Sequence, residues 1–111
     1  MNYENLNDIV NQLYAETEKL YKKLKQKAYS KPLDAEVALD ELKKFSDEVG
    51  KATRDFFFNL CNSKNPETEE TSFKKLQEVL TWVKDTINRL VKFKVLGVQE
   101  QGIIPEFPPK K

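Results

Sequence analysis

The stretch FKKLQEVLTWVKDTINRL, residues 73–90, decides the fold class of this chain. Its apolar side chains recur at alternating steps of three and four residues: Phe73, Leu76, Leu80, Val83, Ile87 and Leu90. That spacing places them on one side of an α-helix, because neighbouring turns align residues three and four apart. We predict a helix over residues 66–96, since Pro66 and nearby acids suit its start and Gly97 suits its end.

Two earlier segments show the same periodicity, over residues 3–29 and 34–61. Their stripes are Leu6, Val10, Leu13, Thr17, Leu20 and Leu24, then Ala38, Leu42, Phe45, Val49, Ala52, Phe56 and Leu60. Pro32 separates the two segments, and Asp34 is a natural N-cap for the second. Short connections make consecutive helices antiparallel, so we predict an all-α, up-down-up three-helix bundle over residues 1–97.

The C-terminal residues 98–111 form an extended arm in this interpretation. Pro105, Pro108 and Pro109 exclude a continuous helix there, and the apolar residues indicate packing on the bundle or recognition of a partner. Residues 91–95 alternate apolar and charged, so a hairpin with residues 103–107 is an alternative to the helix end. We favour the helix, because an isolated hairpin is marginally stable.

Composition excludes much familiar chemistry. The 111 residues carry 19 Lys and Arg against 18 Asp and Glu, with one Cys and no His. Histidine-based catalytic triads, Cys–His pairs and the usual structural zinc sites are therefore excluded. No secretory signal or long apolar run is visible. We expect a cytoplasmic, non-enzymatic protein with no cofactor, no metal site and no small-molecule substrate.

The third segment carries a second apolar line, formed by Val79, Trp82, Thr86 and Phe93. At about 100° per residue, Trp82 lies about 130° from the main stripe. The line either packs on the first helix and the arm, or forms a partner or self-association surface centred on Trp82. Phe58 lies opposite its own stripe, and either turns inward or anchors a partner. The candidate partner-binding residues are Val79, Trp82, Phe93, Phe58, Ile103, Ile104 and Phe107.

A lysine-rich segment lies at the end of the first helix. It comprises Lys19, Lys22, Lys23, Lys25, Lys27 and Lys31, with no acid between them. Such a segment is either a solvated face or a site for an anionic partner such as nucleic acid. Acids at the start of the second helix would neutralise part of it.

Three other features lead to separate expectations. We expect Tyr14 and Tyr21 to cover the edge of the core with their hydroxyls in water. We expect Cys61 to behave as a small buried residue. The adjacent carboxylates, such as Asp40 and Glu41, point about 100° apart and do not converge on one substrate.

These observations favour a protein that acts by binding another protein or itself. It would be an adaptor, an inhibitor or immunity-like factor, or a small subunit of an assembly. The alternative is a nucleic-acid-associated accessory protein that uses residues 19–31.

Overall fold

The described part of the chain contains three helices. The structure, a computed structural model, describes residues 6–61, 70–97 and 103–109, with side chains from Asp8 onward. The helices are α1 (Leu6–Lys25), α2 (Pro32–Cys61) and α3 (Glu70–Leu96), and each packs against the other two. The described residues contain no strand. The predicted all-α three-helix bundle is therefore confirmed.

The first helix ends earlier than predicted, at Lys25 and not at residue 29. Residues 26–31 lead into α2, and the Tyr29 hydroxyl donates a 2.8 Å hydrogen bond to the Leu24 carbonyl. This bond satisfies one of the carbonyls that a helix end leaves without a partner. The predicted start of α1 at residues 3–5, and residues 66–69 with Pro66, lie outside the described residues.

The second helix begins at Pro32, so the prediction that Asp34 is its N-cap is wrong. Proline suits the first helical position, because its fixed φ matches the helix and its missing N–H had no partner there. The Asp34 carboxylate accepts hydrogen bonds from the backbone N–H groups of Ser30, at 3.0 Å, and Lys31, at 2.9 Å. Asp34 thus stabilises the helix start from inside the first turn.

The third helix continues to Leu96, so residues 91–95 are helical and the hairpin alternative is wrong. Gly97 follows with φ +69°, and its N–H donates a 2.9 Å hydrogen bond to the Phe93 carbonyl. Glycine adopts this left-handed conformation without the steric cost that a side chain brings. The predicted role of Gly97 at the helix end is confirmed.

The predicted stripes form most of the core on α1 and α2, but the buried face of α3 is rotated. Val79 and Trp82 are fully buried, whereas Leu80, assigned to the main stripe, is 38% exposed. The buried line of α3 thus lies between the two apolar lines of the sequence. The reason is that α3 is covered by α1 and the arm on one side and by α2 on the other.

Two glycines allow a matched test of this fold, because a Cβ atom built on either meets nothing within 4 Å. Gly50→Ala should raise the free energy of unfolding by about 1 kcal/mol, since alanine favours the helix interior. Gly97→Ala should lower it by about 1 kcal/mol, since φ stays positive. Urea denaturation measures both. A loss of stability in Gly50→Ala would contradict the open space described at that position.

Candidate functional site

Residues 103–109, the described part of the arm, occupy a groove between α1 and α3, and most of the predicted partner-binding residues lie within this contact. Trp82 and Val79 are fully buried, and Ile103, Phe107 and Phe93 are each less than 10% exposed to solvent. Ile104 is half-buried against the same core. These six side chains therefore pack against other parts of the same chain. This is the packing interpretation of the second apolar line, and binding of a partner by these residues stays a prediction.

Aromatic rings form the floor of this contact. The Phe107 ring lies 4.8 Å from the ring of Tyr14 and 5.9 Å from that of Trp82, measured between centroids. Tyr21 meets Trp82 edge-on at 6.2 Å. Tilted and edge-to-face arrangements are the favoured geometries for aromatic pairs, each contributing about 0.5–1.5 kcal/mol beyond area burial. We call the site formed by Tyr14, Tyr21, Lys25 and Trp82 the arm groove.

The deepest polar contact is made by Trp82. Its indole N–H donates a 2.9 Å hydrogen bond to the backbone carbonyl of Pro105, and both groups are buried. A buried carbonyl without a partner would cost about 1–3 kcal/mol, so this bond fixes the position of the arm along α3. The residue suggested as an exposed anchor is thus the inner recognition point for the chain's own backbone.

A carboxylate is held at the rim of the arm groove. The Lys25 ammonium lies 2.8 Å from Glu106 Oε1 and donates a 2.8 Å hydrogen bond to the Tyr21 hydroxyl. The Tyr21 hydroxyl in turn donates to the other Glu106 oxygen. These hydrogen bonds to Glu106 and Tyr21 raise the pKa of Lys25. The expectation that the Tyr21 hydroxyl would only face water is wrong, because it bridges two charged groups.

The arm leaves space on one of its sides. A cavity of about 280 Å³ lies between the arm and the outer face of α3. Its lining includes Thr81, Asp85 and Arg89 on α3 with Ile104 and Pro109 on the arm. Asp85 and Arg89 form an ion pair at 3.4 Å. Trp82 is the one arm-groove residue in this lining, so the cavity lies beside the arm groove.

The lysine-rich segment is used largely for contacts inside the chain. Within the described residues, four of its six lysines have carboxylate partners: Lys22 with Glu18, Lys23 and Lys27 with Glu41, and Lys25 with Glu106. The predicted neutralisation by acids at the start of α2 is thus present at Glu41. A phosphate backbone would have to compete with these carboxylates for the same ammonium groups.

Glu41 lies between two of these ammonium groups, 3.4 Å from Lys23 and 3.2 Å from Lys27. Partial burial acts to raise the pKa of Glu41, but the hydrogen bonds and charges of Lys27 and Lys23 outweigh it and lower the pKa. A carboxylate whose pKa is lowered by folding stabilises the fold above its unfolded pKa. That contribution is lost as the pH falls through the folded value.

Five large apolar side chains are exposed where α2 begins and α3 ends. They are Leu33, Val37, Val91, Val95 and Leu96, and we call them the apolar end. The two helix ends meet there, because Lys94 pairs with Glu36 at 3.7 Å. Sequence reasoning missed this group. The signal that could have found it is spacing, since Leu33 with Val37, and Val91 with Val95, each share a helix face outside the main stripe.

Two further residues can be located. Phe58 is 70% exposed on the outer face of α2, so it is not turned into the core. Cys61 is exposed, so the expectation that it is buried is wrong. It is the last residue of α2 and lies beyond Phe56, the last buried residue of that helix.

A shallow groove of about 460 Å³ runs between α2 and α3, with Val49, Gly50, Leu80 and Ile87 among its lining residues. The described residues contain no group of three or more Cys, Asp or Glu side chains arranged to hold a metal ion. No described helix has both the length and the apolar character needed to cross a bilayer.

Comparison with known proteins gives no relative for this chain: no family model, curated protein or solved structure matches it.

The Trp82 contact makes a testable prediction. Trp82→Phe keeps an aromatic ring but removes the N–H that the buried Pro105 carbonyl accepts. We expect it to lower the free energy of unfolding by about 2 kcal/mol in urea denaturation followed by circular dichroism.

Tyr14→Phe is its control, because it removes a part-buried hydroxyl that lies 3.3 Å from Glu78, and we expect a change below about 0.5 kcal/mol. Equal effects of the two substitutions would contradict the assigned role of the indole.

The Glu41 pair makes a second prediction. Glu41→Gln should lower the melting temperature at neutral pH, because both ammonium groups lose their carboxylate. The difference from the unmodified chain should shrink as the pH falls below the unfolded pKa of glutamate and through the lower pKa that Glu41 has in the fold. A difference that stays constant over this range would show that Glu41 does not act through its charge.

Proposed function

We propose that this chain is a non-enzymatic protein that acts by binding another protein, as an adaptor, an inhibitor or a small subunit of an assembly. The apolar end is the surface that supports this proposal. Of the eight large apolar side chains exposed in the described residues, five belong to it. Single exposed apolar residues are ordinary, but a group on two adjacent helix ends is typical of an interaction surface.

The exposure at this end is large. Val95, Leu96 and Leu33 are 70%, 68% and 65% exposed, so most of each side chain contacts water in the isolated chain. Covering a valine or leucine side chain contributes about 1.5–3 kcal/mol. A partner that covered several of them would gain enough to offset the entropy lost on association.

Charge at the apolar end is mixed. Asp34, Glu36 and Asp40 stand in the first turns of α2 among Leu33 and Val37, and Lys92 and Lys94 stand between the apolar residues at the end of α3. Neighbouring charges of both signs complement the polar rim of a protein interface better than a uniformly anionic lipid surface.

The lysine-rich segment does not favour the nucleic-acid alternative. Lys23 and Lys27 share Glu41, and Lys25 holds Glu106, so binding phosphates would break contacts that hold α1 to α2 and to the arm. A protein interaction at the apolar end breaks only the exposed pair of Lys94 and Glu36, whose contribution is small.

Val95→Asp tests the proposal. The bait is the purified chain in extract of the cells that naturally produce it, and Gln77→Asp, at an exposed polar position of the same helix, is the matched control. We expect a partner captured by the unmodified chain and by Gln77→Asp but lost with Val95→Asp. With that partner purified, calorimetry should show at least tenfold weaker binding, which corresponds to about 1.4 kcal/mol.

Both substitutions lie at exposed positions, so circular dichroism should show unchanged helicity. The melting temperature of Val95→Asp should fall only slightly, because its charge opposes the dipole at the end of α3. A partner that binds Val95→Asp as tightly as it binds Gln77→Asp would overturn the assignment of the apolar end.

A further inference from the structure

The arm contacts the arm groove as a bound peptide contacts a receptor. It has no helix or strand of its own over residues 103–109. Its position is defined by three kinds of contact with α1 and α3: a backbone carbonyl on an indole N–H, a carboxylate on an ammonium group, and an aromatic ring between two others. Each contact depends on a different chemical group of the segment.

These contacts specify a ligand chemistry. The Pro105 carbonyl meets the indole of Trp82, Glu106 meets Lys25, and Phe107 lies against Tyr14. The arm groove therefore fits an extended segment with the order proline, acidic residue, aromatic residue. Proline lowers the cost of ordering such a segment, because its φ is already fixed.

We propose that the arm groove is a recognition site for a segment of this chemistry in a partner protein, and that the arm occupies it as an intramolecular competitor. The inference rests on the proposed function, since it assumes that the chain acts by binding proteins. It adds a second surface, distinct from the apolar end, and a regulation, because the partner segment must displace the arm.

Displacement of the arm requires replacement of contacts at the rim and in the core. The carboxylate contact is at the rim, with both Lys25 and Glu106 about half exposed, so it exchanges readily. Ile103 and Phe107 belong to the core, so a competing segment must also replace their apolar contacts. A tethered arm has a high effective concentration, so a competing segment must bind tightly or be abundant.

A charge exchange in the full chain tests the proposal. The probes are two synthetic peptides of residues 103–109, one with the natural Glu106 and one with lysine there. The first chain is Glu106→Arg, whose own arm is repelled by Lys25. The second is Lys25→Glu, whose own arm is repelled by the new carboxylate. Both changes are at half-exposed positions that leave the bundle core untouched.

Trp82 is the only tryptophan of the chain, so its indole N–H resonance and its fluorescence report the groove directly. On the Glu106→Arg chain, we expect the natural peptide to bind at least about threefold more tightly than the lysine peptide. On the Lys25→Glu chain, we expect the lysine peptide to bind more tightly than the natural one. Lys19→Glu, an exposed lysine on the outward face of α1, is the control, and it should keep the preference of the unmodified chain.

The unmodified chain should require a higher concentration of the natural peptide than Glu106→Arg, because its own arm competes. The absence of any change at the Trp82 indole in both variants at millimolar peptide would overturn the proposal. Binding with the same preference in both variants would also overturn it, since the peptide would then lie elsewhere. Val95→Asp should bind the peptide like the unmodified chain, so failure at the apolar end and failure at the arm groove remain distinguishable.

Discussion

The hydrogen bond from the Trp82 indole to the Pro105 carbonyl is the contact on which the rest of the arrangement depends. A tryptophan ring on α3 must be covered, and its single donor must find an acceptor, because a buried unpaired N–H is costly. The arm supplies both the cover and the acceptor. This contact buries Trp82 in the core and positions residues 103–109 along the bundle.

Charged side chains also form contacts within the chain. The numbers of acidic and basic residues are nearly equal, and several of these side chains form ion pairs with one another. Glu41 ties α1 to α2 through Lys23 and Lys27, and Glu106 ties the arm to Lys25. Exposed pairs contribute little stability, but they set register and leave a weaker field for an anionic partner.

The two surfaces that we propose for function differ in their exposure. The apolar end is open, with Val95 and Leu33 largely in water, so a partner would bind there without rearrangement of the described chain. The arm groove is closed by the chain itself, so its use costs the arm contacts around Trp82 and Lys25. An open and a closed surface on one small bundle would allow one interaction to be constitutive and the other to be conditional.

The sequence by itself determined the helices, their number and order, and the chemistry that the absence of histidine excludes, because helical periodicity and composition are local properties. It also identified Trp82 and the arm as unusual, but it left two interpretations of them open. Tertiary structure decided between packing and exposure, since a side chain on the flank of a stripe is buried or exposed according to which neighbour covers it. Trp82 was covered by the arm, whereas Val95, with the same apolar character, was covered by nothing in the described chain.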